Sequence, residues 1–173
     1  MTTPKAYWNT IEFDYLKIYS VLRGESFKTL KVQLNQSIQQ LQKDLETAQY
    51  MQQSKIKAKI EHLENIVDFR SDVINKHGVL LGTSAIIIHK VKSDGFVKQL
   101  GNILNTTMKA QYTSACVPIF RDAIVFYSND NKIKGVLRIC FECFQVSNKN
   151  DELLQTDMDT FAKLATLLGI NEF

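Results

Sequence analysis

No apolar run in the chain approaches the ~18 residues that a membrane-crossing helix requires. The longest apolar block, Val79 to Ile88, is short and is interrupted by Gly82, Thr83 and Ser84. No membrane association is therefore expected. The N-terminus, Met-Thr-Thr-Pro-Lys-Ala-Tyr-Trp, lacks the apolar core and small-residue cleavage site of a secretory leader, so a cytoplasmic protein is expected. Charge of one sign is also lacking. Lys and Arg number 21 against 18 Asp and Glu, and the two signs mix along the chain. No basic tail or stripe offers nucleic acid a grip. Glycine is scarce, and Gly78, Gly82 and Gly95 do not spell a phosphate-cradling loop. Three cysteines is an odd count, which fits a reducing compartment better than a disulfide framework.

What is present reads as an ordinary globular chain. Of 173 residues, 45% are apolar and 23% charged. That suits one domain, or a compact domain with a helical extension. In residues 6–22, Tyr7, Ile11, Tyr15, Ile18, Tyr19 and Leu22 recur at helical spacing, and Gly24 ends the stretch. A second helix starts near Ser26. Phe27, Leu30, Leu34, Ile38, Leu41, Leu45 and Ala48 then alternate steps of three and four, a heptad seam. The phase slips over Gln49–Ser54 and resumes as Ile56, Ile60, Leu63, Val67 and then Ile74, so that the helical region would run to about residue 75. This predicts either one long helix with a stutter or two helices folded back near Gln52. The absence of Gly and Pro between Glu25 and His77 favours the unbroken helix.

Beyond the helix stop at His77-Gly78, residues 79–91 predict a buried strand with a bend at Gly82. Phe96, Leu100, Ile103 and Leu104 predict a short amphipathic helix to about Met108. Thr156 or Asp157 caps a last helix that Gly169 stops, with Met158, Phe161, Leu164, Ala165 and Leu168 inward. Asp157 and Asp159 are read there as first-turn acids rather than paired catalytic carboxylates.

Between them, residues ~112–146 predict an antiparallel hairpin carrying all three cysteines. Centring its turn on Asp130-Asn131 sets Ile124 against Leu137 and Val125 against Val136. Alternation then gathers Ile124, Phe126, Leu137, Ile139, Phe141 and Cys143 on a core face. Val125, Tyr127, Lys134, Val136, Arg138, Cys140 and Glu142 share a mixed, partly exposed face. Cys140-Phe-Glu-Cys143 is a C-x-x-C by spelling. In a straight strand its two sulfurs point to opposite faces, and neither a zinc clamp nor a disulfide follows. A tight turn or bulge would change that. With Cys116 and His89, the pair makes a conceivable four-ligand zinc site; redox chemistry is the other thiol reading, and bystander cysteines the plainest.

The run Cys116-Val-Pro-Ile-Phe-Arg-Asp-Ala-Ile-Val-Phe-Tyr, a polar turn, and Ile139-Cys140-Phe141-Glu142-Cys143 resembles a group of small, largely uncharacterised Bacteroidetes proteins. That group carries a cysteine, a proline, a hairpin and an Ile-Cys-Phe-x-Cys strand. Where it tends to have His before the first strand, this chain has Asp122. The resemblance implies a hairpin fold more than an activity.

His62 falls on the polar side of its helix and His77 at a helix end; neither has a catalytic partner fixed by spacing. The deaminase pattern H-x-E with P-C-x-x-C is absent. The expectation is an α+β protein. Long N-terminal helices, coiled-coil-like or a helical hairpin, would span residues 1–77. A small antiparallel sheet flanked by helices would span 78–173. The function expected is non-enzymatic protein binding, as in an immunity-like or inhibitory bacterial protein, without a cofactor. Trp8, Phe27, Leu34, Leu41 and Ala48 are the candidate contacts to another protein or to a second copy through the long helix. A thiol site at Cys116, Cys140 and Cys143, with zinc or redox chemistry, is the alternative.

Overall fold

A computed structural model describes residues 2–68, 72–81, 86–91, 93–107 and 116–170. In chain order these form α1 (Pro4–Trp8), β1 (Tyr15–Val21), α2 (Gly24–Thr47), α3 (Tyr50–Val67) and β2 (Ile86–Val91). Then follow α4 (Asp94–Leu104), β3 (Asp122–Tyr127), β4 (Ile133–Cys140), β5 (Gln145–Asn148), β6 (Leu153–Leu154) and α5 (Met158–Leu168). The protein is α+β, as expected. Two compact units divide it: residues 1–21 with 72–173, and residues 22–71.

The larger unit is a six-stranded antiparallel sheet in the order β2-β1-β3-β4-β5-β6. Its two faces are both dry over the central strands. Leu16, Ile18, Ile124, Phe126, Leu137, Ile139 and Val146 form one core with Tyr7 of α1, Leu100 and Leu104 of α4, and Phe161, Leu164 and Ala165 of α5. Tyr15, Tyr19, Ala123, Val125, Tyr127 and Val136 form the other with Val73 and Ile74. All six residues of β3 are buried. The second face, expected to be partly exposed, is covered at Val125, Tyr127, Val136, Arg138 and Cys140 and exposed at Lys134 and Glu142. The cover is the segment from Asp72 to Leu81, pinched by a bridge between Ile74 and Leu80. Gly78 sits in that pinch with φ +76°, and a Cβ there would meet Ile133 Cδ1 at 2.9 Å. Only glycine combines that backbone with that approach.

The predicted register holds through the middle of the hairpin: Ile124 opposes Leu137 and Val125 opposes Val136. It shifts by one between Phe126 and Tyr127, so that Tyr127 opposes Ile133. The turn is longer than two residues. The Ser128 amide donates to the Lys132 carbonyl at 3.0 Å, and Asn131 takes φ +62°. The extra residue is absorbed as a bulge.

The helix predicted over 6–22 is instead α1 followed by β1. Tyr-Leu-Lys-Ile-Tyr-Ser-Val satisfies both a helical and a two-residue period. Tertiary pairing decides between them, since β1 lies between β2 and β3 and feeds Leu16 and Ile18 to one core, Tyr15 and Tyr19 to the other. The sheet therefore recruits residues before the helices, and the boundary expected at residue 77 does not separate the units. The Gly82 bend, the Met108 helix end and the first part of the 112–146 region lie outside the described residues.

The smaller unit is a helical hairpin. Ala48 and Gln49 are both extended, with ψ 141° and 150°, and the chain folds back there rather than near Gln52. No Gly or Pro is needed. The Gln52 amide donates to the Gln49 carbonyl at 2.8 Å, and Gln53 Nε2 to the Ala48 carbonyl at 3.1 Å. Leu34, Ile38, Ile60 and Val67 are buried in the seam, flanked by Leu30, Leu41, Leu45, Ile56, Leu63 and Ile66. The phase slip in the sequence is thus the fold-back of two packed helices.

Candidate functional site

The cysteines gather where β4 ends. Instead of continuing as a strand, the chain turns over Phe141–Phe144 and returns as β5, with Cys140 opposite Gln145. The Phe144 amide donates to the Phe141 carbonyl at 3.4 Å, and Phe144 takes φ +50°. The turn frees the C-x-x-C from strand alternation. Phe141 joins the helical face of the sheet as expected, but Cys143 leaves it. Cys143 instead forms a buried cluster with Cys140 and Phe120.

Cys116, which is exposed, forms a disulfide with Cys143 across 27 residues, with a Cα–Cα separation of 5.8 Å. That separation is in the usual range for the bond. The Gln145 amide Nε2 donates to the Cys116 carbonyl at 3.4 Å. Cys140 remains a buried thiol beside this bridge.

Charged groups surround the cluster. Arg138, two residues before Cys140, is buried on β4 with its guanidinium carbon 4.7 Å from the Phe120 ring centre. Its Nε donates to Ser147 Oγ at 2.9 Å, and its terminal nitrogens reach Asp151 and, at 3.6 Å, Asp72 Oδ2. Asp72 Oδ1 also accepts from the Phe120 amide at 2.8 Å. Lys76 Nζ lies 3.0 Å from Asp151 Oδ2, and Arg121 pairs with Glu142. The Lys76 ammonium, followed by the Arg138 charge, holds the Asp151 carboxyl below its ordinary range. The Arg138 contacts tie the Asp72–Leu81 cover, β5 and the loop after β5 to one buried cation.

The four proposed zinc ligands are not brought together. Cys116 and Cys143 share a bond and present no thiolate. His89 lies exposed on β2, three inter-strand steps of ~4.8 Å, or about 14 Å, from β4. Among the described residues no group of three or more His, Cys, Asp and Glu is placed to hold a metal.

The other sequence candidates find structural partners. Trp8 packs edge-on against Phe13 and Phe126, with centroids 5.6 and 5.9 Å away. Phe27 is buried. Leu34 and Leu41 lie in the hairpin seam, and Ala48 is at the fold-back. A second copy could use that seam only by displacing α3. His62 is exposed, and the His77 amide donates to Asn75 Oδ1 at 2.9 Å in the turn before Gly78. Asp157 caps α5 by accepting from the Thr160 amide at 2.8 Å, and Asp159 pairs with Lys163.

Three features escaped the sequence reading. The Arg138 network depends on Asp72 and Asp151, which no spacing links to it. The hydroxyls of Tyr19 and Tyr127 meet at 2.9 Å while Tyr127 stacks on Tyr15. Burial, reinforced by the Tyr19 hydroxyl, pushes the Tyr127 phenol above its ordinary value. Tyr50 and Met51, in the first turn of α3, are 89% and 85% exposed. Their position just after the phase slip is the signal that could have found them. Comparison with protein-family models, with curated proteins and with solved structures gives no match.

Proposed function

We propose that the protein is a non-enzymatic, immunity-like or inhibitory binding protein that meets another protein through the tip of its helical hairpin. The observation that carries this reading is the contrast within the hairpin. The seam residues turn inward, while Tyr50 and Met51 stand in water at the fold-back. An adjacent tyrosine and methionine at a helix start make an anchor of the kind that dominates interfaces. The test is quantitative capture of one partner from the native host by the wild-type chain and by a Tyr50→Ser, Met51→Ser double variant. Partner recovery is expected to fall at least ~10-fold in the variant, as for the loss of a hot spot, with thermal stability unchanged. Equal recovery overturns the reading.

A second reading is favoured by the Cys116–Cys143 bridge beside the Cys140 thiol: a thiol–disulfide site. In a cytoplasmic setting such a bridge is transient and redox-sensing rather than a permanent staple. Titration of the link against defined glutathione buffers tests it. A link that opens and closes within the physiological range supports the reading, and thiols that never pair overturn it. The zinc form of this reading requires the opened bridge. Metal analysis of the reduced, tag-free chain finding less than ~0.2 equivalents of zinc removes it.

A further inference from the structure

The cysteines number three, and the bridge uses two. Cys143 is the shared neighbour. It is bonded to exposed Cys116 and packed with buried Cys140 around Phe120. The turn over Phe141–Phe144 makes this possible, because it takes residues that a straight strand would send to opposite faces and sets them in one cluster. A disulfide that shares a buried side-chain cluster with a third, unbonded cysteine has the partners needed for thiol–disulfide exchange.

We propose that Cys143 alternates between Cys116 and Cys140, and that the exchange presents Cys116 as a reactive thiol at the surface. This rests on the thiol–disulfide reading above. The Cys140 thiol gives up its proton, and the thiolate attacks Cys143 Sγ. A Cys140–Cys143 bond forms as the Cys143–Cys116 bond breaks. Cys116 leaves as a thiolate and takes up a proton. One disulfide is exchanged for another, so no outside oxidant or reductant is consumed. The chemistry available to the released Cys116 is mixed-disulfide formation: its thiolate attacks one sulfur of a low-molecular-weight disulfide of the glutathione class, that S–S bond breaks, and the other half leaves as a thiolate that takes up a proton. Its neighbour Val117 is 87% exposed, so the approach is open on that side. The buried Cys140 is shielded from the same reaction, which keeps the order of events: exchange inside, reaction outside.

The two bonded states are separable by mass. Tryptic cleavage after Lys109, Arg121, Arg138 and Lys149 leaves Cys116 on one peptide and both Cys140 and Cys143 on another. The full-length protein is oxidised with one equivalent of diamide, which leaves no glutathione cap on Cys116, desalted, and exposed to iodoacetamide while folded. It is then acid-quenched, blocked with N-ethylmaleimide, digested and sequenced by mass spectrometry. In the wild type, Cys116 is expected to gain the iodoacetamide label as an internal Cys140–Cys143 loop appears. In a Cys140→Ala variant that labelling is expected to fall at least ~10-fold, because the attacking thiolate is gone. A Cys116→Ser variant, altered only at an exposed position, is expected to form the Cys140–Cys143 link in the same buffer. If the wild type never forms a Cys116–Cys143 link, the thiol-site reading and the exchange both fall. If it forms the link but Cys140→Ala labels Cys116 as fast as the wild type, or Cys116→Ser stays fully reduced, the exchange alone falls.

Discussion

The helical hairpin and the sheet unit solve the burial problem differently. The hairpin has one apolar seam, built from residues that recur every three or four positions and meet their partners across a two-residue fold-back. The sheet unit has two cores, one on each face, assembled from strands brought together from residues 15 to 154. One is locally wired and simple; the other depends on long-range register. The difference teaches where function can sit. The hairpin spends its apolar residues on itself and leaves a tip. The sheet unit holds the cysteines, the buried arginine and the tyrosine stack among fixed neighbours, where chemistry needs positions that do not drift.

The sharpest way to break this contrast is through the sheet. Phe126 is fully buried and touches Phe13 and Trp8. Phe126→Ala is expected to cost ~3–5 kcal/mol. Urea unfolding followed by near-ultraviolet circular dichroism should show the loss, with both sheet faces affected together.

Ile38→Ala probes the other side. It empties the seam opposite α3 and is expected to cost ~2–4 kcal/mol of hairpin stability. Hydrogen exchange should show lost protection over residues 24–67 while the amides of β1, β3 and β4 keep theirs. Equal loss in the sheet would mean that the two units do not hold themselves together separately.

A smaller effect is expected at Arg138. Arg138→Met keeps most of the volume but leaves buried Ser147 without its guanidinium donor and takes one partner each from Asp72 and Asp151, which keep the Phe120 amide and Lys76. The expected cost is ~1–3 kcal/mol. The Asp72–Leu81 cover should become the first protease-sensitive segment of the sheet unit.

The smallest effect is a pH dependence. Asp151 is held below its ordinary value by Lys76 and then Arg138. A carboxyl lowered on folding adds stability above its unfolded pKa of ~3.9, and that share is lost as pH falls through the folded value. Asp151 is half exposed, so the share is modest. Asp151→Asn should be slightly less stable than the wild type at neutral pH, with the gap closing as pH falls below about 4. The opposite end mirrors this. Tyr127 is raised, so above the ordinary phenol value of ~10 the wild type should lose stability faster than Tyr127→Phe.

The same contrast explains what could be read from the sequence. The heptad steps from Phe27 to Val67 gave away the hairpin's seam. Its fold-back was harder to see because Ala48 and Gln49 break the helix without Gly or Pro. In the sheet unit, alternation on both sides of a polar turn fixed Ile124 against Leu137. The one-residue bulge near Tyr127 did not show, because it arises from a longer turn. Residues 15–21 fit two periods, and only pairing with strands 70 and 105 residues away decides for β1. Extended to its end, the same hairpin register sets Cys116 opposite Gln145, two residues from Cys143, so that part of the cysteine cluster was legible. The turn that brings Cys143 to Cys140 was not, because Phe144 takes a left-handed backbone that its residue type rarely signals.

The central claim is that the hairpin meets its partner at the tip and not along its flanks. A photo-crosslinking amino acid placed at position 50, and in a separate strain at exposed Gln40 on the polar side of α2, tests it in the native host. The account predicts one discrete protein adduct from position 50 and none of that mass from position 40. Adducts of equal yield from both positions, or none from position 50, would contradict it.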